Sequence, residues 1–311
     1  MKCLGKTLLG RNCTRTVSTN AKHQYCYQHG GDLHQLPPTL DREYELLDQI
    51  DCGAMGCVYR VRNRILDILR AIKVIDYSKY NTAMRNALVL EVNTMFSLKD
   101  HPNNHVVQFV KRYVDRDAST IYIVMEYVST SVEKYLKAHP TIPDELTLKV
   151  ARQTLEGLVF LQSRGIIHND LKPGNLLLDD DLNVIIADFG MICQLKPFEL
   201  FCADANGTPL YMSPEKLHER PFDYKADLWA LGVILYQMIM GELPFNPPPG
   251  SDAHFGLTML VDRGIYLPII DHHPLLVSLI RDLLQVHPAN RPSAAELLDK
   301  YWKGCINEGR V

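Results

Sequence analysis

The sequence, 311 residues long, lacks any apolar run able to cross a bilayer: the longest, Leu228 to Met240, is well short of the ~18 residues a span needs. Its opening, MKCLGKTLLGRNC, has no charged stretch leading into an apolar core, so no export signal is expected. Without export, the eight cysteines are expected as free thiols or metal ligands rather than as a disulfide framework. Internal repeats and low-complexity tracts are also missing, which excludes solenoid and fibrous architectures. What is present, 46% hydrophobic and 22% charged residues, is the composition of an ordinary globular chain of one large domain or two smaller ones. An intracellular protein, cytoplasmic or nuclear, with no membrane partner is expected.

The formal net charge of −3 hides two unlike parts. Residues 1–36 carry five basic residues (Lys2, Lys6, Arg11, Arg15, Lys22) against Asp32, a net +4, and the remainder holds 28 basic against 35 acidic residues, a net −7. Pro37-Pro38 reads as the join, with 37–43 a linker. From Tyr44 the chain alternates in short apolar stretches. TyrGluLeuLeuAspGlnIle, CysValTyrArgVal and AlaIleLysValIle predict three antiparallel strands. Residues 82–98 predict a helix. ValValGlnPheVal and ThrIleTyrIleValMetGluTyrVal, around AspArgAspAlaSer, predict a hairpin returning to the same sheet. Beyond Val128 helices dominate. One opens at Pro143 with a stripe of Leu148, Ala151, Leu155 and Leu158, and Leu228 to Met240, apolar nearly all round, predicts a buried central helix.

The densest chemistry lies in HisAsnAspLeuLysProGlyAsn, residues 168–175, followed thirteen residues after Asn175 by AspPheGly at 188–190. An aspartate, a lysine and an asparagine on one loop with a second aspartate on the next suit phosphoryl transfer. One carboxylate must accept a hydroxyl proton, oxygen ligands must hold Mg²⁺, and a cation must offset charge on the moving group. HxDxKxxN with the motifs that follow in order resembles a eukaryotic-type serine/threonine protein kinase from about Tyr44 to Trp302. That resemblance implies an α+β, bilobal fold: a small antiparallel sheet plus one helix (about 44–125), a larger mainly helical lobe (about 126–303), and a tail at 304–311.

The same resemblance implies the site. Asp170 becomes the catalytic base and Lys172 steadies the γ-phosphate. Asn175 and Asp188 hold Mg²⁺. Lys73, in AlaIleLys, meets the α and β phosphates of ATP, with Glu91 eighteen residues on as its ion-pair partner. The glycine-rich loop, AspCysGlyAlaMetGlyCysVal, keeps Gly53 and Gly56 but has Asp51 at the first glycine position; the two retained glycines let backbone amides approach phosphate. Ile50, Val58, Ala71 and Leu177 would enclose adenine, with Met125 as gatekeeper and the backbone of Glu126 and Val128 at its edge. Asp227, Trp229 and Gly232 match the helix that anchors the catalytic loop, and Arg291 is placed to pair with Glu215. Lys172 and Thr208 are the serine/threonine versions of their motifs. Protein substrates and a monomer are implied.

Two departures bear on regulation. Asn169 stands where an arginine normally receives an activation-loop phosphate, and the stretch from Phe189 to Gly207 contains no Ser, Thr or Tyr. Both predict a kinase without a phosphate switch in that loop, held instead by apolar packing of Phe198, Leu200 and Phe201.

Upstream, Cys3, Cys13, Cys26 and His29 have the ligand chemistry of a closed Cys3His zinc site, and about 36 residues need such a staple to fold. The pattern also resembles a small CxGxTxxGxxCxR…YCxxH module. Its positive charge suits an acidic partner or nucleic acid. The other cysteines, Cys52, Cys57, Cys193, Cys202 and Cys305, read as buried or incidental, with Cys52 and Cys57 open to oxidation beside the phosphate loop. A second reading of the whole, motivated by Asp51 and Asn169, is a kinase-shaped scaffold or adaptor that recruits partners through residues 1–36.

Overall fold

The computed structural model describes residues 36–53, 56–247, 253–265 and 273–306. They fall into two compact units, one of residues up to 100 with 108–127, the other of 101–107 with everything from 128 onward.

The first unit is built on a five-stranded antiparallel sheet. A one-turn helix α1 (Pro38–Asp41) precedes β1 (Tyr44–Gly53), β2 (Gly56–Asn63) and β3 (Leu69–Asp76), and helix α2 (Thr82–Lys99) leads to β4 (Phe109–Asp115) and β5 (Thr120–Glu126). Spatial order is β1-β2-β3-β5-β4, so the expected three strands and the hairpin share one sheet. Asn81 caps α2 by accepting from the Met84 amide at 2.9 Å. The helix buries Leu88, Val92, Met95 and Leu98 at spacings of four, three and three.

Residues 37–43, expected as a linker, are packed structure. Pro38 starts α1, and Leu36 and Leu40, 2% and 0% exposed, join Tyr44, Val61, Ile72, Tyr122 and Val124 in one cluster. Each such leucine contributes roughly 1.5–3 kcal/mol when fully buried. The boundary between lobes also differs from expectation. His105 accepts from the Ile186 amide through its carbonyl at 2.9 Å and the Val107 amide donates to Ile186 at 2.9 Å, so 101–107 pairs within the second unit and β4 begins only at Phe109.

The second unit contains β6 (Thr130–Ser131), α3 (Val132–Ala138), α4 (Asp144–Gln162), β7 (Ile166–Ile167), β8 (Leu176–Leu178), β9 (Val184–Ile186) and β10 (Cys193–Gln194). It continues with α5 (Pro214–Leu217), α6 (Lys225–Met240), α7 (Ala253–Asp262), α8 (Pro274–Leu283) and α9 (Ala294–Ile306). Among the α4 residues expected to face the core, Ala151, Leu155 and Leu158 are buried, but Leu148 is only half-buried and Thr147, Val150 and Thr154 complete the stripe. Helix α6 is buried nearly all round, from Ala226 to Tyr236, as its unbroken apolar run predicts. Trp229 stacks on Phe245 with ring centroids 5.5 Å apart. No helix among the described residues is long and apolar enough to cross a membrane.

Candidate active site

In the first unit, Lys73 lies on β3 opposite Val58 and Ile123, a central position that buries its side chain. Its Nζ is 3.8 Å from Glu91 Oε1 of α2, with both side chains largely withdrawn from solvent. Ala71 is buried opposite Met125, and Arg70 pairs with Glu126 in the same register. Glu126 Oε1 accepts from the Gln108 amide at 2.6 Å, which fixes the end of β5.

The glycine-rich hairpin is in register, with Gly53 opposite Gly56, Cys52 opposite Cys57 and Asp51 opposite Val58. Gly56 has φ +126°, a left-handed conformation, and a Cβ there would run into the Val74 carbonyl, so glycine is required. Asp51, at the missing glycine's position, turns its carboxylate back onto the Cys52 amide at 2.8 Å. Cys52 and Cys57 are joined as a disulfide. These two were expected as buried or incidental thiols open to oxidation, not as a pair; direct opposition across the hairpin is what brings them together.

In the second unit, the loop 168–175 hangs from α6. Asp227 Oδ2 and Oδ1 accept from the backbone amides of His168 at 2.8 Å and Asn169 at 2.9 Å. Full burial pushes the Asp227 carboxyl above its ordinary pKa, against the opposing pull of His168 and the two amides. The His168 ring meets the Ala187 carbonyl through Nε2 at 3.0 Å and lies edge-on to Phe189, 5.3 Å away, which ties the loop to AspPheGly.

This scaffold presents Asp170 inside a closed set of donors. Its Oδ2 accepts from Lys172 Nζ at 2.7 Å, and its Oδ1 from the Thr208 amide at 2.8 Å and the Thr208 hydroxyl at 2.7 Å. Lys172 also reaches Thr208 Oγ1 at 3.2 Å. Asn175 spends its Nδ2 donors on the Asp170 carbonyl at 2.7 Å and on Oδ2 at 3.3 Å. Gly207, at φ +129°, brings Thr208 in: a Cβ there would sit 2.6 Å from the Asn169 carbonyl. Asp188 adopts φ +61° between buried Ala187 and Phe189, with its carboxylate exposed. Such left-handed backbone is uncommon away from glycine and concentrates at functional sites.

Leu177 is half-buried on β8, opposite Ser131 and Ile185, and Val128 begins the second unit's chain. Ile50, Val58, Ala71 and Glu126 belong to the first unit. Arg291 and Glu215 form the expected buried pair at 2.9 Å. Among the described residues no group of three or more His, Cys, Asp or Glu side chains is arranged for a metal such as zinc, and Cys3, Cys13, Cys26 and His29 lie outside the described residues.

Four further findings were missed or misjudged from sequence. Asn169 is buried, and its Nδ2 donates to the carbonyls of Met191 at 2.9 Å and Asp204 at 3.3 Å. Lys216, following the Pro-Glu of 214–215, is 4% exposed and donates to the Asn169 carbonyl at 2.8 Å; burial lowers its pKa to about 8, although Asp227, Asp170 and Glu215 pull it upward. A lysine between Glu215 and Leu217 looks like a solvated helix residue, and only its apolar neighbours hinted otherwise. Third, Phe198, Leu200 and Phe201 are 101%, 70% and 58% exposed, so packing of these three does not hold their loop. Cys193 and Cys202, expected to be incidental, are joined as a disulfide instead.

This geometry defines a protein of the kinase class: a buried lysine–glutamate pair on a small sheet, and an aspartate cradled by lysine, threonine and asparagine on a helical scaffold. The protein kinase domain family matches residues 44–303, and the chain belongs to it. The human serine/threonine-protein kinase Nek2 is 31% identical over 273 residues, covering 84% of this chain and 60% of that protein. The serine/threonine-protein kinase atg1 of Dictyostelium discoideum is 33% identical over 276 residues, covering 85% of this chain and 40% of that protein. The chain therefore spans less than two-thirds of the length of either relative.

Proposed function

We propose that the protein is an ATP- and Mg²⁺-dependent serine/threonine protein kinase that passes the γ-phosphate to protein hydroxyls. The observation that carries this is the Asp170 cradle. A carboxylate held by Lys172, Thr208 and Asn175 is aimed, so it can orient a substrate hydroxyl and take its proton. Lys172, two residues after the base and hydrogen-bonded to it, offers an ammonium that offsets charge on the transferred group. Lys73, steadied by Glu91, offers a second ammonium to the α and β phosphates. Gly53 and Gly56 leave room for phosphate, Ile50, Val58, Ala71 and Leu177 supply apolar surface for adenine, and the backbone of Glu126 and Val128 meets its polar edge.

The donor set fits magnesium. The amide oxygen of Asn175 and the carboxylate of the exposed Asp188 are hard oxygen ligands of the kind that ion takes together with phosphate oxygens. When bound, magnesium neutralises charge on the phosphates. The named relatives are serine/threonine-protein kinases, which supports the hydroxyl class of acceptor. Absence of Ser, Thr and Tyr from 189–207, together with Asn169, supports a kinase that does not depend on a phosphate in that loop.

We further propose that residues 1–36 bind zinc through Cys3, Cys13, Cys26 and His29 and recruit an acidic partner, the charge of +4 being the supporting feature. Transfer from labelled ATP to a basic protein, compared between wild type and Asp170→Ala, tests the enzyme reading. A loss of about 10²–10⁴-fold is expected from removing the base. Equal activity in the two proteins, or none in well-folded wild type, would leave the scaffold reading.

A further inference from the structure

The segment that carries no phosphate acceptor is nevertheless pinned at both ends. β10 pairs with β7, placing Cys193 opposite Ile167, and the Leu195 amide donates to Gly165 at 2.8 Å. Cys202 exchanges both backbone hydrogen bonds with Phe222, at 2.8 and 2.9 Å, and is buried with Ile167, Leu195, Phe222 and Ala226. The Cys193 and Cys202 sulfurs are bonded to each other, across a sequence separation of nine. Asn169 bridges the same gap from the catalytic loop, through Met191 on one side and Asp204 on the other. Two fasteners, one amide and one covalent, therefore close the base of a loop whose exposed Phe198, Leu200 and Phe201 hold nothing. Six residues beyond Cys202 is Thr208, a direct partner of Asp170.

We propose that Cys193 and Cys202 form a reversible oxidation site that sets the position of this segment, and through Thr208 the readiness of Asp170. The thiol pair takes the place of a loop phosphate, so the inference rests on the kinase reading above. Chemically, the half-exposed Cys193 reacts first. Its thiolate attacks a peroxide oxygen, the O–O bond breaks, and a sulfenic acid and hydroxide result. Buried Cys202 then attacks that sulfur: the S–S bond forms, the S–O bond breaks and water leaves, two electrons having passed to peroxide. An external dithiol reverses this by attacking Cys193, displacing the Cys202 thiolate, and closing on itself to release Cys193.

The test uses the full chain. Peptide mapping without reductant after hydrogen peroxide treatment is expected to recover Cys193 linked to Cys202; finding both as free thiols overturns the proposal whether or not the protein is active. Reduction with a dithiol is expected to speed chymotryptic cleavage after the exposed Phe198 and to lower kcat/KM about tenfold, the scale on which removing a short cross-link frees a segment. Peroxide should restore both. In Cys193→Ser/Cys202→Ser neither readout should respond. A response that persists unchanged in that variant assigns the effect to other cysteines, Cys52–Cys57 among them, and overturns the proposal. Robust activity that is identical in oxidised and reduced wild type overturns it too while leaving the kinase reading intact. Protein without activity in either state, but with the linked peptide and redox-dependent cleavage, sinks the kinase reading and keeps the site.

Discussion

Lys216 donates its buried ammonium to the carbonyl of Asn169 at 2.8 Å, one residue before the proposed base. Burial holds this lysine at about 8 rather than 10.5, while Asp227, Asp170 and Glu215 favour its charge. Below pH 8 the ammonium separates three carboxylates; as pH rises through 8 that charge is lost from the folded enzyme. An alkaline fall in kcat with an apparent pKa near 8 is therefore expected, and Lys216→Met should lower kcat by about tenfold and abolish that limb. Stability moves oppositely. Between pH 8 and 10.5 the unfolded chain keeps a proton the folded one has released, so this group alone makes stability rise with pH. A limb unchanged in Lys216→Met would assign it to another group.

Asn169 positions rather than reacts. Its Nδ2 joins Met191 to Asp204, and its backbone, at φ +70°, sits in a conformation that asparagine tolerates better than most residues. Asn169→Ala combines lost hydrogen bonds with backbone strain, whereas Asn169→Gly removes only the bonds. Both variants should lose about tenfold in kcat/KM, from roughly 1–1.5 kcal/mol of lost positioning. ATP affinity measured by fluorescence should stay constant. If Asn169→Gly is fully active, strain and not the bridge is what matters at this position.

How much of this was legible depended on how local each signal is. HisAsnAspLeuLysProGlyAsn announces its chemistry because base, lysine and metal ligand share one loop, and the apolar run of α6 can only be a buried helix. Glu91 could be paired with Lys73 only through resemblance, since the contact crosses from α2 to β3. The cysteine pairs were illegible for a physical reason. Cys52–Cys57 depends on the strand register of β1 and β2, and Cys193–Cys202 on two separate attachments, to β7 and to Phe222. The expectation of free thiols was argued from compartment, an argument blind to geometry. Leu36 and Leu40 were read as linker because two prolines look like a break, yet Pro38 at the first position of α1 starts the helix that buries them.

Zinc in residues 1–36 is testable without catalysis. Purified protein should carry about one zinc per chain by atomic emission, and Cys13→Ser or deletion of 1–36 should remove it. A zinc-selective chelator should detach the metal and any acidic partner together while leaving phosphoryl transfer unchanged. Metal-free protein that binds the partner equally well would separate recruitment from zinc.

The Glu215–Arg291 pair should dominate stability over any surface pair. Arg291 is fully buried, forks onto both Glu215 oxygens at 2.9 and 3.3 Å, donates to the carbonyls of Gln285 and Lys225, and lies 5.2 Å from the Trp229 ring centre. Glu215→Gln leaves that guanidinium buried without a counter-charge, at a cost of about 3–5 kcal/mol. Arg60–Asp48 is closer still, at 2.7 Å, but 37% and 53% exposed, so water and salt screen it. Arg60→Ala should leave the melting temperature unchanged within error. Thermal denaturation of the two variants decides between burial and distance: comparable losses would mean that proximity, and not dehydration, sets the worth of an ion pair in this protein.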